Sequence, residues 1–210
     1  HIFHKMFRTR LCRGFWRDRE RPVLVNNWEG TYFDFNTEKL LNIAQKAAQI
    51  GVELFVLDDG WFGRRDNDKC SLGDWTTVNR KKLPDGLDGL ADQIRGLGMQ
   101  FGLWVEPEMV SADSDLYRAH PDWIMGRPHQ GVGRHQYILD LCRPEVREYI
   151  ISAMTEVFTQ AKLAYIKWDM NRIFTDTFSA ALPPERQGEV RHRYVLGLYQ
   201  ILSVLTERFP

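Results

Sequence analysis

The sequence predicts an α/β protein built on a parallel sheet, and within that class the N-terminal half of a (β/α)8 TIM barrel, incomplete in this chain. Three observations carry this expectation. From Pro22 onward, short continuous apolar runs alternate with segments of helical periodicity, the pattern of parallel strands covered by helices. The apolar runs end in polar or acidic residues (Asn27, Asp58, Glu106, Asp140, Asp169), and barrel enzymes gather their chemistry from the C-terminal ends of several strands. No glycine-rich dinucleotide or phosphate-loop motif marks the single switch point that a doubly wound sheet would use. A whole barrel takes about 250 residues, and only four or five strands fit into these 210.

Residues 1–21 are basic (Arg8, Arg10, Arg13, Arg17, Arg19, Arg21), and are expected to be an irregular connector from an upstream domain. Residues 22–210 are expected to form the partial barrel. Val23–Val25 is its first strand. A helix follows, with Asn36 as N-cap, Glu38 in the first turn, and Leu40, Leu41, Ala44, Ala47 and Ala48 on one face; Gly51 stops it. Leu54–Leu57 is the second strand. A long loop leads to a helix marked by Leu87, Leu90, Ala91, Ile94 and Leu97 and ended by Gly98. Phe101–Val105 is the third strand, and Tyr137–Leu139 a further short apolar run. Pro144, in the favoured first-turn position, opens a helix with Val146, Ile150, Ala153, Met154, Val157 and Phe158 at helical spacing. Ala164–Trp168 is the next strand, and a helix carrying Tyr194, Leu198, Ile201 and Leu205 follows.

Charge and cysteine content narrow the function. Lys+Arg and Asp+Glu both number 28, so there is no basic excess to hold nucleic acid or an anionic membrane. No apolar run is long enough to cross a bilayer. Cys12, Cys70 and Cys142 are an odd, widely spaced set, which speaks against a disulfide framework or a structural zinc site and for reduced thiols in a cytoplasmic protein. The chain opens without Met or an apolar leader and stops after an amphipathic stretch, so both ends are expected to be cuts through a longer polypeptide.

Lys167-Trp168-Asp169 is the sharpest local feature. Residues two apart on a strand share a face, so Lys167 and Asp169 point the same way and Trp168 the other. A neighbouring ammonium keeps a carboxylate ionised, and an ionised carboxylate is what a glycosidase nucleophile needs. The same spacing also suits a strand-end ion pair without chemistry. Asp58-Asp59 could accept hydrogen bonds from vicinal hydroxyls, hold Mg²⁺ with Glu106 and Glu108, or cap the next helix. Trp28, Trp61, Trp75 and Trp104 lie at or just past strand ends beside these carboxylates, a combination that suits a sugar's apolar face and its hydroxyls. Arg134 and Arg143 could clamp a substrate or form surface ion pairs. The histidines, His129 among them, have no metal-ligand spacing, and no serine elbow is present.

Taken together, these motifs resemble glycoside hydrolase family 36, the microbial α-galactosidases. The matching stretches are Val25-Asn26-Asn27-Trp28-Glu29, Leu57-Asp58-Asp59-Gly60-Trp61-Phe62, Gly73-Asp74-Trp75, Phe101 through Met109, Leu139-Asp140-Leu141 and Tyr165 through Arg172. The resemblance implies a retaining α-galactosidase acting on oligosaccharides such as melibiose or raffinose, with Asp169 as nucleophile; the alternatives are a non-catalytic galactoside-binding protein on a decayed barrel and a galactosyl-transferring relative. It implies that Lys167 bonds sugar hydroxyls, that Asp58 and Asp59 hold the hydroxyls that mark galactose, and that Trp28, Trp104 and Arg134 line the pocket. It implies no metal and no cofactor, and an acid/base aspartate beyond residue 210, since Asp176 sits in the wrong context. It also makes the Lys-Trp-Asp strand the fourth of the barrel and the Tyr137–Leu139 run an extra element. A homo-oligomer of the full-length protein is expected, and the fragment alone is expected to be inactive.

Overall fold

The computed structural model describes residues 1–12, 14–127 and 131–210; Arg13 and His129 lie outside the described residues. Four short parallel strands form the main sheet: β1 (Leu24–Asn26), β2 (Leu54–Leu57), β3 (Gln100–Val105) and, after a separate antiparallel pair, β6 (Tyr165–Trp168). Their order in the sheet is β1-β2-β3-β6, with Val25 opposite Phe55, Phe55 opposite Phe101, and Trp104 opposite Lys167. The Lys-Trp-Asp strand is therefore the fourth parallel strand. The other two strands, β4 (Met109–Ser111) and β5 (Gln136–Ile138), pair antiparallel in a sheet of their own. Tyr137–Ile138 is thus an accessory element and not a member of the main sheet.

Burial follows position in the sheet. All of β2 and nearly all of β3 are buried, whereas the residues of β1 and β6 are partly exposed. Parallel strands covered on both faces read as continuous apolar runs, and Leu54–Leu57 is such a run.

Helices α1 (Ile2–Met6), α2 (Trp28–Thr31) and α5 (Asp115–Ala119) are little more than single turns. The long helices are α3 (Thr37–Gln49), α4 (Gly86–Gly96), α6 (Pro144–Ala161) and α7 (Val190–Arg208). Asn36 caps α3 as its composition predicts: its side-chain oxygen accepts from the Lys39 N–H at 2.9 Å, satisfying one of the helix's orphan donors. Beyond its end, Gly51 has φ +86°, a backbone that a residue with a Cβ adopts only at a cost. Pro144 starts α6, and Val146, Ile150, Ala153, Met154, Val157 and Phe158 are all buried along it. α4 packs on β3 and α6, α3 on α4, and α6 on α7. No helix among the described residues is long and apolar enough to cross a membrane.

The N-terminal stretch corrects one expectation. Its described residues are not irregular but wind into α1, a π turn (Phe7–Leu11) and a 3-10 turn (Gly14–Arg17). Ile2, Phe3, Met6, Phe7 and Leu11 recur at helical spacing between the basic residues, yet all are exposed.

Candidate active site

The C-terminal ends of the parallel strands bring Asp58, Trp104, Glu106, Lys167 and Asp169 together. Asp58 follows β2 directly and is buried. Its Oδ2 accepts from Lys167 Nζ at 2.8 Å and from Asn26 Nδ2 at 2.5 Å, and its own N–H donates to Asn27 Oδ1 at 2.8 Å. Three strands, β1, β2 and β6, therefore converge on one carboxylate. Lys167 shares the face of Asp169, as its spacing requires, but its ion pair is with Asp58 rather than with its near neighbour.

Asp169 stands just past β6, half-buried, its N–H donating to the Val105 carbonyl at 2.9 Å. Its Oδ2 accepts from Trp104 Nε1 at 2.9 Å and from Asn171 Nδ2 at 2.7 Å; its Oδ1 accepts from the Met170 N–H at 2.9 Å. Burial by itself would raise the carboxyl's pKa. The hydrogen bonds from Trp104, Asn171 and Met170, with Lys167 contributing last, outweigh burial and hold it below its ordinary value. The expected reason for ionisation is thus corrected: donors from neighbouring elements matter more than the lysine two residues away, whose charge is shared with Asp58.

Asn171 links this carboxylate to its surroundings. Its Nδ2 also lies 3.3 Å from Glu106 Oε2, its N–H donates to Glu106 Oε1, and its Oδ1 accepts from Arg134 Nη1 at 2.9 Å. Gln136 Nε2 donates to Glu106 Oε1 at 3.1 Å. Burial pushes the Glu106 carboxyl above its ordinary value despite these donors. Arg134 itself is exposed, with φ +51° at a residue that has a Cβ, and His135 beside it has φ +60°. Two successive left-handed non-glycine residues are a strained arrangement, and it sits where an arginine reaches the site.

Other candidates fall elsewhere. Asp59 turns its carboxylate onto Arg65, whose Nε and Nη2 hold it at 3.0 and 2.9 Å; both side chains are almost fully buried. Arg65 is anchored in turn on the Cys70 carbonyl at 2.8 Å. Burial nevertheless leaves the Asp59 carboxyl above its ordinary value. Trp61, Trp75 and Trp104 are at most 2% exposed and pack with Phe62, Trp104 stacking on Phe62 at 6.4 Å between centroids. These three tryptophans form a core cluster rather than open platforms, and Trp104 reaches the site through its N–H alone. Trp28 is half-buried, edge-on to Tyr32 and Phe33. Glu108 accepts from Trp168 Nε1 at 2.9 Å and from the Tyr194 hydroxyl of α7, so Trp168 faces the helix layer. Arg143 forms ion pairs with Asp122, Asp140 and Glu145. Among the described residues no three His, Cys, Asp or Glu side chains converge as a metal site would need. Asn26, Arg65, Gln136 and Asn171 are the site-shaping residues that composition and period did not single out.

A half-exposed, ionised carboxylate beside a lysine–aspartate pair, at the ends of parallel strands, can attack an electrophilic carbon while its neighbours hold hydroxyls. Comparison with known proteins agrees with that class. The melibiase family model matches residues 1–210, and the chain belongs to that family. It is 60% identical to alpha-galactosidase AgaA of Geobacillus stearothermophilus, over 99% of this chain and 29% of that protein. It is 51% identical to alpha-galactosidase 1 of Pediococcus pentosaceus, over 99% of this chain and 28% of that one. Among solved structures, a variant of the family 36 enzyme AgaA in complex with raffinose superposes with a TM-score of 0.95 and 60% identity, over 99% of this chain and 29% of that chain. The chain thus spans less than a third of the length of these relatives.

Proposed function

We propose that this chain is the nucleophile-bearing half of the (β/α)8 barrel of a retaining α-galactosidase, acting as part of a longer polypeptide. The observation that supports this most is Asp169 held ionised by three donors, next to the Lys167–Asp58 pair, at the mouth of a parallel sheet. Asp169 attacks the anomeric carbon of a terminal α-galactose, forming a galactosyl-enzyme that water then cleaves, with a general acid/base carboxyl supplied from beyond residue 210. Retaining enzymes keep such a pair about 5–5.5 Å apart. Lys167 and Asp58 take the galactose hydroxyls, Trp28 and Arg134 border the pocket, and Asp59 fixes the loop through Arg65. Raffinose, bound by the AgaA variant, is a fitting substrate class. The open edges of β1 and β6 are then where the remaining barrel strands join, so residues 1–210 alone are inactive. We place residues 1–21 as the connector from an upstream domain.

The test is hydrolysis of an aryl α-galactoside and of raffinose by the polypeptide that carries this chain, with Asp169→Asn as control. Turnover abolished by that substitution supports the reading. A negligible rate in the unsubstituted protein, or an unchanged rate in Asp169→Asn, overturns it.

A further inference from the structure

We propose that Asn171 is a positioning residue that fixes which oxygen of Asp169 attacks, by holding Oδ2 and leaving Oδ1 for the anomeric carbon. The proposal rests on the hydrolase reading above and deepens it.

The two oxygens of Asp169 are not equivalent. Oδ2 accepts two hydrogen bonds, from Trp104 Nε1 and Asn171 Nδ2, and Oδ1 accepts one, from the Met170 N–H. An oxygen with two donors already on its lone pairs is the poorer nucleophile, so attack falls to Oδ1. In that step the Oδ1–C1 bond forms and the C1–O glycosidic bond breaks. The electron pair leaves with the departing oxygen, which is protonated by a general acid or, if it is a nitrophenolate, needs no proton. As the ester forms, Oδ2 becomes its carbonyl oxygen and stays on its two donors.

The orientation of the Asn171 amide is dictated by chemistry. Guanidinium only donates, and carboxylates only accept. Arg134 Nη1 therefore takes Asn171 Oδ1, which turns Nδ2 toward Asp169 and Glu106. The Asn171 backbone is pinned as well, its N–H donating to Glu106 Oε1. Arg134 reaches this position from a strained left-handed stretch, so a costly backbone geometry is spent on orienting one amide. The groups bearing on Asp169 are Asn171 and the Met170 N–H just after it, Lys167 on its own strand, Trp104 and Glu106 at the end of β3, Asp58 at the end of β2 through Lys167, and Arg134 through Asn171. Among them Asn171 is the one that touches both the carboxylate and the exposed arginine.

The experiment measures the pH dependence of kcat/KM on an aryl α-galactoside for the carrying polypeptide, and for its Asn171→Ala and Asn171→Asp variants. Losing a donor to a carboxylate should lower kcat about 10- to 100-fold, with KM little changed. The acid limb should rise by about one pH unit in Asn171→Ala and further in Asn171→Asp, where like charge faces Asp169. Should Asn171→Ala fail to fold, the near-isosteric Asn171→Asp decides by the same limb. An active protein whose variants keep the wild-type acid limb, or lose only KM, overturns the proposal alone. An unsubstituted protein without turnover overturns the hydrolase reading and this proposal with it.

Discussion

Replacing Arg65 by Met removes the cation from an almost wholly buried carboxylate. Arg65 makes three contacts with Asp59 at 2.9 to 3.2 Å and one with the Cys70 carbonyl at 2.8 Å. Side-chain exposure is 3% for the arginine and 8% for the aspartate, so water cannot take over these bonds. Methionine fills much of the volume, which leaves the uncompensated charge as the main penalty. Breaking one side of such a pair costs about 3–5 kcal/mol. The pH dependence follows from the sign of the Asp59 shift. Burial already holds its carboxyl above the ordinary 3.8, against the lowering by Arg65. A folded-state pKa above the unfolded one means the folded state binds the proton more readily, so stability falls as pH rises through the folded value. Without Arg65 that value climbs further, so the cost of Arg65→Met is full at neutral pH and shrinks toward acid as Asp59 protonates. Urea unfolding of the carrying polypeptide, followed by fluorescence of the buried Trp61–Trp75–Trp104 cluster, measures it. Adding Asp59→Asn should recover a large part of the loss. A cost under about 1 kcal/mol, a gap that does not narrow in acid, or no rescue by Asp59→Asn would refute the reasoning.

Three further outcomes are expected. Trp104→Phe keeps an aromatic ring against Phe62 but loses the N–H on Asp169 Oδ2; the acid limb of kcat/KM should rise by about one pH unit. Lys167→Met removes only a weaker influence on the Asp169 carboxyl than the Trp104 N–H, but the only cation on Asp58 among the described residues; KM for galactosides should rise while the acid limb moves less than in Trp104→Phe. Gly63→Ala places a Cβ 2.7 Å from Ser71 Cβ and Oγ at a backbone with φ +51°, and should cost about 1–3 kcal/mol in urea unfolding.

Much of this was legible in the sequence where a repeat or a cap carries the signal. Inference from period and burial is simple for Leu54–Leu57, because a strand covered on both faces has no polar position. Asn36 and Pro144 mark helix starts through local chemistry that tertiary context rarely overrides. The convergence of Asp58, Lys167 and Asp169 follows from their places at strand ends. What stayed hidden depends on contacts between distant segments. By period alone Tyr137–Leu139 reads like any short strand; the family resemblance sets it apart, and its pairing with Met109–Ser111 is what takes it out of the main sheet. Asn171, Gln136 and Arg65 carry no periodic signal, since a lone amide or guanidinium reveals its role only through its partner. Strand-end tryptophans beside carboxylates look the same in sequence whether they face a ligand or the core. Here three of them pack inward around Phe62, and the apolar gain of burying large rings decides it.

The most direct test of the nucleophile is covalent trapping with an activated 2-fluoro-galactosyl fluoride, read by intact mass and peptide mapping. Fluoride leaves with little acid assistance, so the label reports on Asp169 independently of the acid/base carboxyl. A single galactosyl-sized adduct on the peptide containing Asp169 is the predicted result. An adduct on a different carboxylate, or none on a folded polypeptide that turns over an aryl α-galactoside, would contradict the assignment of Asp169 as the attacking group.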